Sequence, residues 1–151
     1  PLVMALPASH PAAARPVLHL ADVAAEPLVI FPRQIAPSLY DALLAAYRAR
    51  GATPQIAQEA IQMQTIVNLV SAGMGLAWVP EAVTRLQRPG VVYRAVADAP
   101  LRCQTSLVWR DQGPPVVQRF VAHVMADAQA QAQTAAAGAA TMPGSAADPG
   151  A

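Results

Sequence analysis

The sequence predicts an α/β fold in which strands alternate with helices around a largely parallel sheet. Short apolar runs of buried-strand type recur along the chain, as at 28–31, and helical patterns separate them, as at 37–50. Leu, Ile, Val and Phe together make up 36 of the 151 residues, an ordinary share for a globular core. The chain therefore has the pattern and the apolar content of a folded α/β domain.

Five strands are predicted in the first 96 residues. Each is a run of four to six residues that contains apolar side chains, and proline, glycine or polar residues lie at its ends. Short helices are expected at 20–25 and 80–86, between some of these runs. The predicted strands are 2–6, 28–31, 55–60, 76–79 and 91–96.

Two longer helices complete this part of the prediction. The first begins at Pro37, which the first turn tolerates because its missing N–H would be unpaired there, and it ends near Arg50, before Gly51. The second, at 63–72, is nearly apolar all round, a pattern typical of a buried helix. Gly73 ends it.

The last third of the chain differs from the first two thirds. An apolar strand at 105–109 and a helix at 116–128 form an isolated pair, although a buried strand needs neighbours. We therefore expect this pair to complete a sheet whose other strands lie outside the sequence. The Ala-rich segment 131–151 lacks large aliphatic and aromatic residues, so we expect a disordered tail. The start within an apolar run at Pro1 indicates a fragment of a longer protein.

Composition and residue spacing exclude several classes of function. All ten cations are arginine and the net charge is +1, so the segment is a poor candidate for direct contact with DNA. A single cysteine, Cys103, excludes an internal disulfide framework and a cysteine-based zinc site. The histidines at 10, 19 and 123 lack metal-site spacing, and no catalytic set is evident. We therefore expect no enzyme activity, no metal and no cofactor. The sequence also has no uninterrupted apolar stretch of about 18 residues that could span a membrane.

Two places could bind a small anion. The loop 31–36 leads into the N-terminus of the first long helix and carries Arg33, and the segment 62–65 opens the second helix. Exposed N–H groups at a helix start accept carboxylates well. The simpler alternative is that Gln62 and Thr65 cap their helix and that Arg33 is a solvated loop charge.

Four further segments give the sequence a family resemblance. The stretch 58–80, QEAIQMQTIVNLVSAGMGLAWVP, resembles the signature of LysR-type transcriptional regulators, in which a helix ends in a form such as LVAAGxGIALLP. The segments 5–11 (ALPASHP), 20–27 (LADVAAEP) and 30–33 (IFPR), followed by LYD at 39–41, are similar to family segments that occur in the same order. The resemblance covers residues 1–127.

The resemblance implies a fold like that of a type 2 periplasmic binding protein, with two α/β subdomains and an effector cleft between them. Residues 1–96 would be the complete second subdomain, and residues 97–130 would be the returning strand and helix of the first. The rest of the first subdomain and an N-terminal winged helix-turn-helix would lie upstream of the sequence. The family further implies a cytoplasmic protein, a homodimer or homotetramer, and DNA binding through that missing N-terminal part.

The resemblance also implies a site and a ligand. The expected effector is a small organic acid, a carboxylate or a product of aromatic catabolism, whose binding would control transcription. The residues that would line the effector cleft are Pro32, Arg33, Pro37, Leu39, Gln62, Met63, Thr65 and, on the returning strand, Thr105.

Two other hypotheses for the function remain open at this point. One is a solute-binding protein of a transporter with the same fold, and the other is an enzyme such as a deaminase or dehydratase on a similar scaffold.

Overall fold

A computed structural model describes residues 1–140 of the chain and shows a mixed α/β fold. Short 3₁₀ turns at Pro11–Ala14, Leu20–Asp22, Arg33–Ile35 and Glu81–Leu86 connect the longer elements. The strands are β1 (Leu2–Pro7), β2 (Val17–Leu18), β3 (Leu28–Ile30), β4 (Ile56–Glu59), β5 (Ala77–Pro80) and β6 (Val91–Val96). The helices are α1 (Pro37–Arg48), α2 (Met63–Ser71) and α3 (Pro115–Ala140).

Strand β1 runs antiparallel to both of its neighbours. The four-stranded sheet has the order β2-β6-β1-β5, and β2 is parallel to β6. Strands β3 and β4 form a parallel pair, which a parallel bridge between Leu28 and Leu76 joins to the start of β5. Five strands therefore run in one direction and β1 in the other, which refines the prediction of a largely parallel sheet.

The core forms where α1 and α2 pack on this sheet. Residues 2–6 of β1 are all buried, as expected for a strand in the middle of a sheet. Helix α1 contributes Leu43 and Tyr47 to the core, and α2 contributes an apolar face of its own. The indole N–H of Trp78 donates to the Tyr47 hydroxyl at 3.3 Å, so this buried polar pair satisfies itself. Burial raises the pKa of Tyr47.

An ion pair attaches the C-terminal end of α1 to the segment that follows β6. Asp98 accepts the backbone N–H of Leu20 at 2.8 Å and the Nε–H of Arg50 at 2.8 Å, and Arg50 also donates to the Asp98 carbonyl. The Leu20 N–H and the Arg50 guanidinium together hold the pKa of Asp98 below its ordinary value. This contact fixes three parts of the chain that are distant in sequence.

The predicted elements in residues 1–96 are present, and their ends differ from the prediction by at most three residues. Strand β2 was not predicted, because a two-residue strand carries no periodicity. Residues 105–109 differ from the prediction, since they form no strand and the described residues offer them no strand to pair with.

The last helix is longer than predicted. Helix α3 continues to residue 140, into the segment expected to be a tail, because alanine has the highest helix propensity. The rest of that segment, 141–151, lies outside the described residues. By internal contacts the chain divides after Thr105, and α3 belongs to the second unit. The predicted boundary at residue 96 stays a prediction. No helix within residues 1–140 is long and apolar enough to cross a membrane.

Gly75 tests the close approach of the turn between α2 and β5 to Pro27, the residue before β3. Its φ is +152°, and a Cβ added there would lie 2.5 Å from the carbonyl oxygen of Pro27, which accepts the N–H of Leu76. We expect Gly75→Ala to lower the free energy of unfolding by about 2–5 kcal/mol, through backbone strain and the clash. Gly73 (φ +78°) has open space around it, so Gly73→Ala should cost only about 1–2 kcal/mol. Urea denaturation of both variants measures this difference, and equal losses would contradict it.

The Asp98 contacts can be tested through the pH dependence of the free energy of unfolding. Asp98→Ala removes the acceptor of the Leu20 N–H and should lower the free energy of unfolding at pH 7 by about 1–2 kcal/mol. Because the pKa of Asp98 is lowered in the folded chain, its contribution is present at neutral pH and is lost as the pH falls through the folded-state pKa. The difference between wild type and variant should therefore shrink in acid. Glu59→Ala, at an exposed carboxylate of β4, serves as the control. A pH-independent difference would refute this account.

Candidate functional site

The candidate site lies at one edge of the sheet. Strands β3 and β5 both end there, at Ile30 and Pro80, and the antiparallel β1 begins there at Leu2. The N-terminal ends of α1 and α2 reach the same edge. In open α/β sheets the loops that follow the strands and the starts of the helices surround a crevice at this edge, where ligands bind. The topology alone therefore points to this place.

An apolar cavity of about 160 Å³ lies at this edge. Every residue of its wall is apolar apart from Cys103. Its deeper side consists of buried core side chains, and Leu39 and Met63 are half-buried. Such a wall suits the apolar body of a small ligand. Residues that surround the cavity include Phe31, Leu39, Leu43, Met63, Trp78 and Cys103.

A second cavity, of about 330 Å³, adjoins the apolar cavity and carries polar groups. We call it the arginine cavity, because Arg102 lies in its wall with Ser38 and Gln104. The two cavities share three wall residues, which are Ala36, Leu39 and Cys103. An apolar compartment and a cationic compartment are thus immediate neighbours.

Thr105 lies in the wall of a third cavity, of about 470 Å³. This cavity also includes Glu81 and Arg85, and it shares Pro80 and Cys103 with the apolar cavity. Thr105 is therefore near the predicted site, but it does not share a cavity with Leu39 and Met63.

The structure brings together some of the residues that the sequence singled out. Leu39 and Met63 both lie in the wall of the apolar cavity, and Pro37 belongs to the arginine cavity. Gln62 and Thr65 are exposed at the start of α2, where Gln62 is the N-cap residue but makes no side-chain capping hydrogen bond. Pro32 is half-buried beside the short turn that precedes α1. Capping thus does not account for the Gln62 side chain.

Arg33 lies away from the apolar cavity. Its Nε–H and NH2 groups donate to the two carboxylate oxygens of Asp41 at 2.8 and 2.7 Å, a bidentate ion pair. Successive helix residues are 100° apart, so Asp41 lies about 200° round α1 from Leu39. The Arg33 guanidinium holds the pKa of Asp41 below its ordinary value, and Asp41 raises the pKa of Arg33. The Arg33 guanidinium is therefore already paired with a carboxylate of the chain itself, that of Asp41.

Sequence reasoning missed several residues of the two cavity walls, among them Arg102 and Trp78. Arg102 lies in the irregular segment between β6 and α3, where no periodicity indicates the direction of a side chain. Trp78 lies in a buried strand, where an aromatic residue is ordinary. Within residues 1–140 no group of His, Cys, Asp or Glu side chains is placed to hold a metal ion.

Comparisons with known proteins agree with this geometry. Residues 1–129 match the LysR substrate binding domain family. The transcriptional regulator IlvR of Caulobacter vibrioides is 46% identical over 114 residues, which are 75% of this chain and 38% of IlvR. The chain thus spans well under half the length of that relative.

Solved structures of similar proteins show the same fold. The effector-binding domain of BenM, determined with its effector benzoate, has a TM-score of 0.59 and 25% identity, over 66% of this chain and 46% of that one. CbnR, a LysR family transcriptional regulator, has a TM-score of 0.63 and 25% identity, over 82% of this chain and 43% of CbnR.

Fold and site together define a ligand-binding α/β domain with the periplasmic-binding-protein-like architecture. The chain belongs to the LysR substrate binding domain family, as the match over residues 1–129 shows. The sequence motifs at 5–11, 20–33 and 58–80 all fall inside that match. The resemblance seen in the sequence is thereby confirmed.

The Arg33–Asp41 pair can be tested by titration. In Arg33→Gln the pKa of Asp41 should rise towards its ordinary value, because the strongest charge-assisted hydrogen bond to the carboxylate is lost. Arg48, which acts on Asp41 only at a distance, provides the matched control, and Arg48→Gln should raise this pKa much less. Carbon-detected NMR of the aspartate carboxyl groups measures both values. An unchanged pKa in Arg33→Gln would show that the pair does not form in solution.

Proposed function

We propose that this chain is the effector-sensing part of a LysR-type transcriptional regulator and that its effector is a small organic acid. The observation that carries the proposal is the apolar cavity beside a cationic compartment, at the sheet edge where α/β proteins bind ligands. Benzoate, the effector of the similar BenM domain, is itself an apolar ring with one carboxylate. The relatives are transcriptional regulators, so a transporter's solute-binding protein is not favoured.

The proposed effector site consists of the apolar cavity and its immediate surroundings. Leu39 and Met63 contribute to its wall. Pro32 precedes the short turn before α1, and Pro37 begins that helix. Gln62 and Thr65, exposed at the start of α2, supply polar groups near the wall that Met63 forms. A role for Arg33 requires a ligand that reaches beyond the two cavities to a guanidinium already paired with Asp41. A role for Thr105 requires a ligand that reaches the third cavity.

Control of transcription requires that the effector bind two states of the protein differently. In the proposed mechanism the effector changes the arrangement of two subdomains, of which residues 1–96 are one. That change alters how the subunits of a homodimer or homotetramer present DNA-binding domains N-terminal to this chain. The chain senses the effector in the cytoplasm and carries out no catalysis. It uses no metal or cofactor, because the binding energy of the effector supplies the whole signal.

Ala36 allows a direct test, because its methyl group lies in the wall shared by the two cavities. A panel of small carboxylic acids should raise the melting temperature of the intact protein, since a ligand that binds only the folded state stabilises it. Ala36→Leu should fill part of the cavity and abolish the shift for every acid that stabilises wild type. Ala45→Leu places the same side chain at an exposed position of α1 and should leave the shift unchanged. Differential scanning fluorimetry measures these shifts.

Two results would contradict the proposal. One is a wild-type protein that no acid in the panel stabilises. The other is an Ala36→Leu protein that responds like wild type, which would place the ligand elsewhere.

A further inference from the structure

We propose that Arg102 binds the carboxylate of the effector, and that the effector is a monocarboxylate with a compact apolar body. This inference rests on the proposed function, because it names the ligand class of the same site. It differs from the prediction made from the sequence, in which Arg33 is the only cation of the site. Its basis is the way in which the apolar cavity and the arginine cavity join.

The apolar cavity limits the size of the ligand's body. An apolar cavity of about 150 Å³ holds one benzene molecule, and the cavity beside Leu39 and Met63 measures about 160 Å³. A six-membered ring or a branched chain of four to five carbons fills such a space. A longer or bicyclic body exceeds this volume, so part of its apolar surface would stay outside the cavity.

The wall of the apolar cavity also limits the charge of the ligand. Among the described residues, every wall residue is apolar apart from the Cys103 thiol. A second carboxylate inside the apolar cavity would lie against apolar side chains, with no charged group among the described residues of the wall to pair it. Burial of an unpaired charge costs far more than a small ligand can gain from its contacts. The geometry therefore favours monocarboxylates over dicarboxylates.

Arg102 is placed to bind the single carboxylate. It lies in the wall of the arginine cavity, which meets the apolar cavity at Ala36, Leu39 and Cys103. A ligand whose body fills the apolar cavity can extend its charged end past these three residues. There Arg102 offers a planar fork of N–H donors that matches a carboxylate, and Ser38 and Gln104 offer further hydrogen bonds. Among the described residues, the walls of both cavities contain no acidic side chain that would repel the anion.

Arg33 is the competing candidate, and its surroundings argue against it. The bidentate pair with Asp41 takes the Nε donor and one Nη2 donor of the guanidinium and balances its charge. Arg33 is absent from the walls of the apolar and the arginine cavity alike. An effector that binds Arg33 would have to use the remaining Nη donors, beside the negative charge of Asp41, which weakens its attraction. Within residues 1–140, the wall of the arginine cavity holds no such carboxylate beside Arg102.

The test is isothermal titration calorimetry of the intact protein with four probes. Benzoate and 3-methylbutanoate present one carboxylate on two apolar bodies, benzamide is the neutral analogue of benzoate, and terephthalate carries a second carboxylate at the far end of the ring. Wild type should bind both monocarboxylates and should bind terephthalate at least about tenfold more weakly. The variants Arg102→Gln and Arg102→Lys remove and retain the charge, Arg33→Gln tests the competing arginine, and Arg48→Gln is a charge-matched control at the far end of α1.

The expected results separate the two arginines. Arg102→Gln should raise the Kd of benzoate about tenfold or more, because a charge-assisted hydrogen bond is lost. It should leave the weaker binding of benzamide unchanged. Arg102→Lys should recover part of the affinity, and Arg48→Gln should change it less than about twofold. Because Arg102 is exposed, the melting temperature of unliganded Arg102→Gln should equal that of wild type, which shows that the variant folds.

Three outcomes would overturn the inference. They are an Arg102→Gln protein that binds benzoate like wild type, a larger loss in Arg33→Gln than in Arg102→Gln, and wild-type binding of terephthalate as tight as that of benzoate. Each of these leaves the proposed function intact, because the protein still binds an acid. Wild-type protein that binds neither monocarboxylate would instead contradict the effector class on which both proposals depend.

Discussion

The direction of β1 is the constraint on which the rest of the site depends. Strand β1 lies between β5 and β6 and runs against both. Its first residue, Leu2, therefore lies at the edge where β3 and β5 end, and its side chain closes one side of the apolar cavity. Because residues 2–6 are buried, the direction of β1 cannot change without loss of the core. The cavity is thus a consequence of the sheet topology and of core packing.

Helix α1 is fixed at both ends by ion pairs, and the site lies along the face between them. At its start the exposed pair of Arg33 and Asp41 joins the short turn after β3 to the helix. Beyond its C-terminal end, Arg50 and Asp98 join it to the segment that leads from β6 towards Arg102. The helix is therefore tied to both of the segments that contribute to the two cavities.

Much of the fold could be predicted from the sequence, because apolar runs and glycine or proline breaks mark short buried strands well. The strands at 28–30 and 91–96 and the helices that begin at Pro37 and Met63 follow directly from such patterns. The direction of β1 could not be predicted, since an apolar run reads the same in either orientation. The strand predicted at 105–109 is absent for a related reason. The apolar pattern of this segment indicates that it can pair with a neighbouring strand, but the pattern does not provide that neighbouring strand.

The site was predictable only where the family motifs cover it. Leu39 and Met63 lie in those motifs and in the wall of the apolar cavity. The direction of Arg33 depends on Asp41, eight residues away, and on the turn between them, which no local pattern determines. Arg102 lies in an irregular segment, and only the tertiary structure brings it beside α1.

The most direct test of the central claim, that the effector binds in the apolar cavity, is an NMR measurement on methionine methyl groups. With [¹³C-methyl]methionine protein and saturating benzoate, we predict intermolecular NOEs from the ligand ring to the Met63 methyl group, which lies in the cavity wall. The exposed Met74 and Met125 serve as internal references and should show none. NOEs to Met74 or Met125, with none to Met63, would place the ligand outside the cavity and contradict the account.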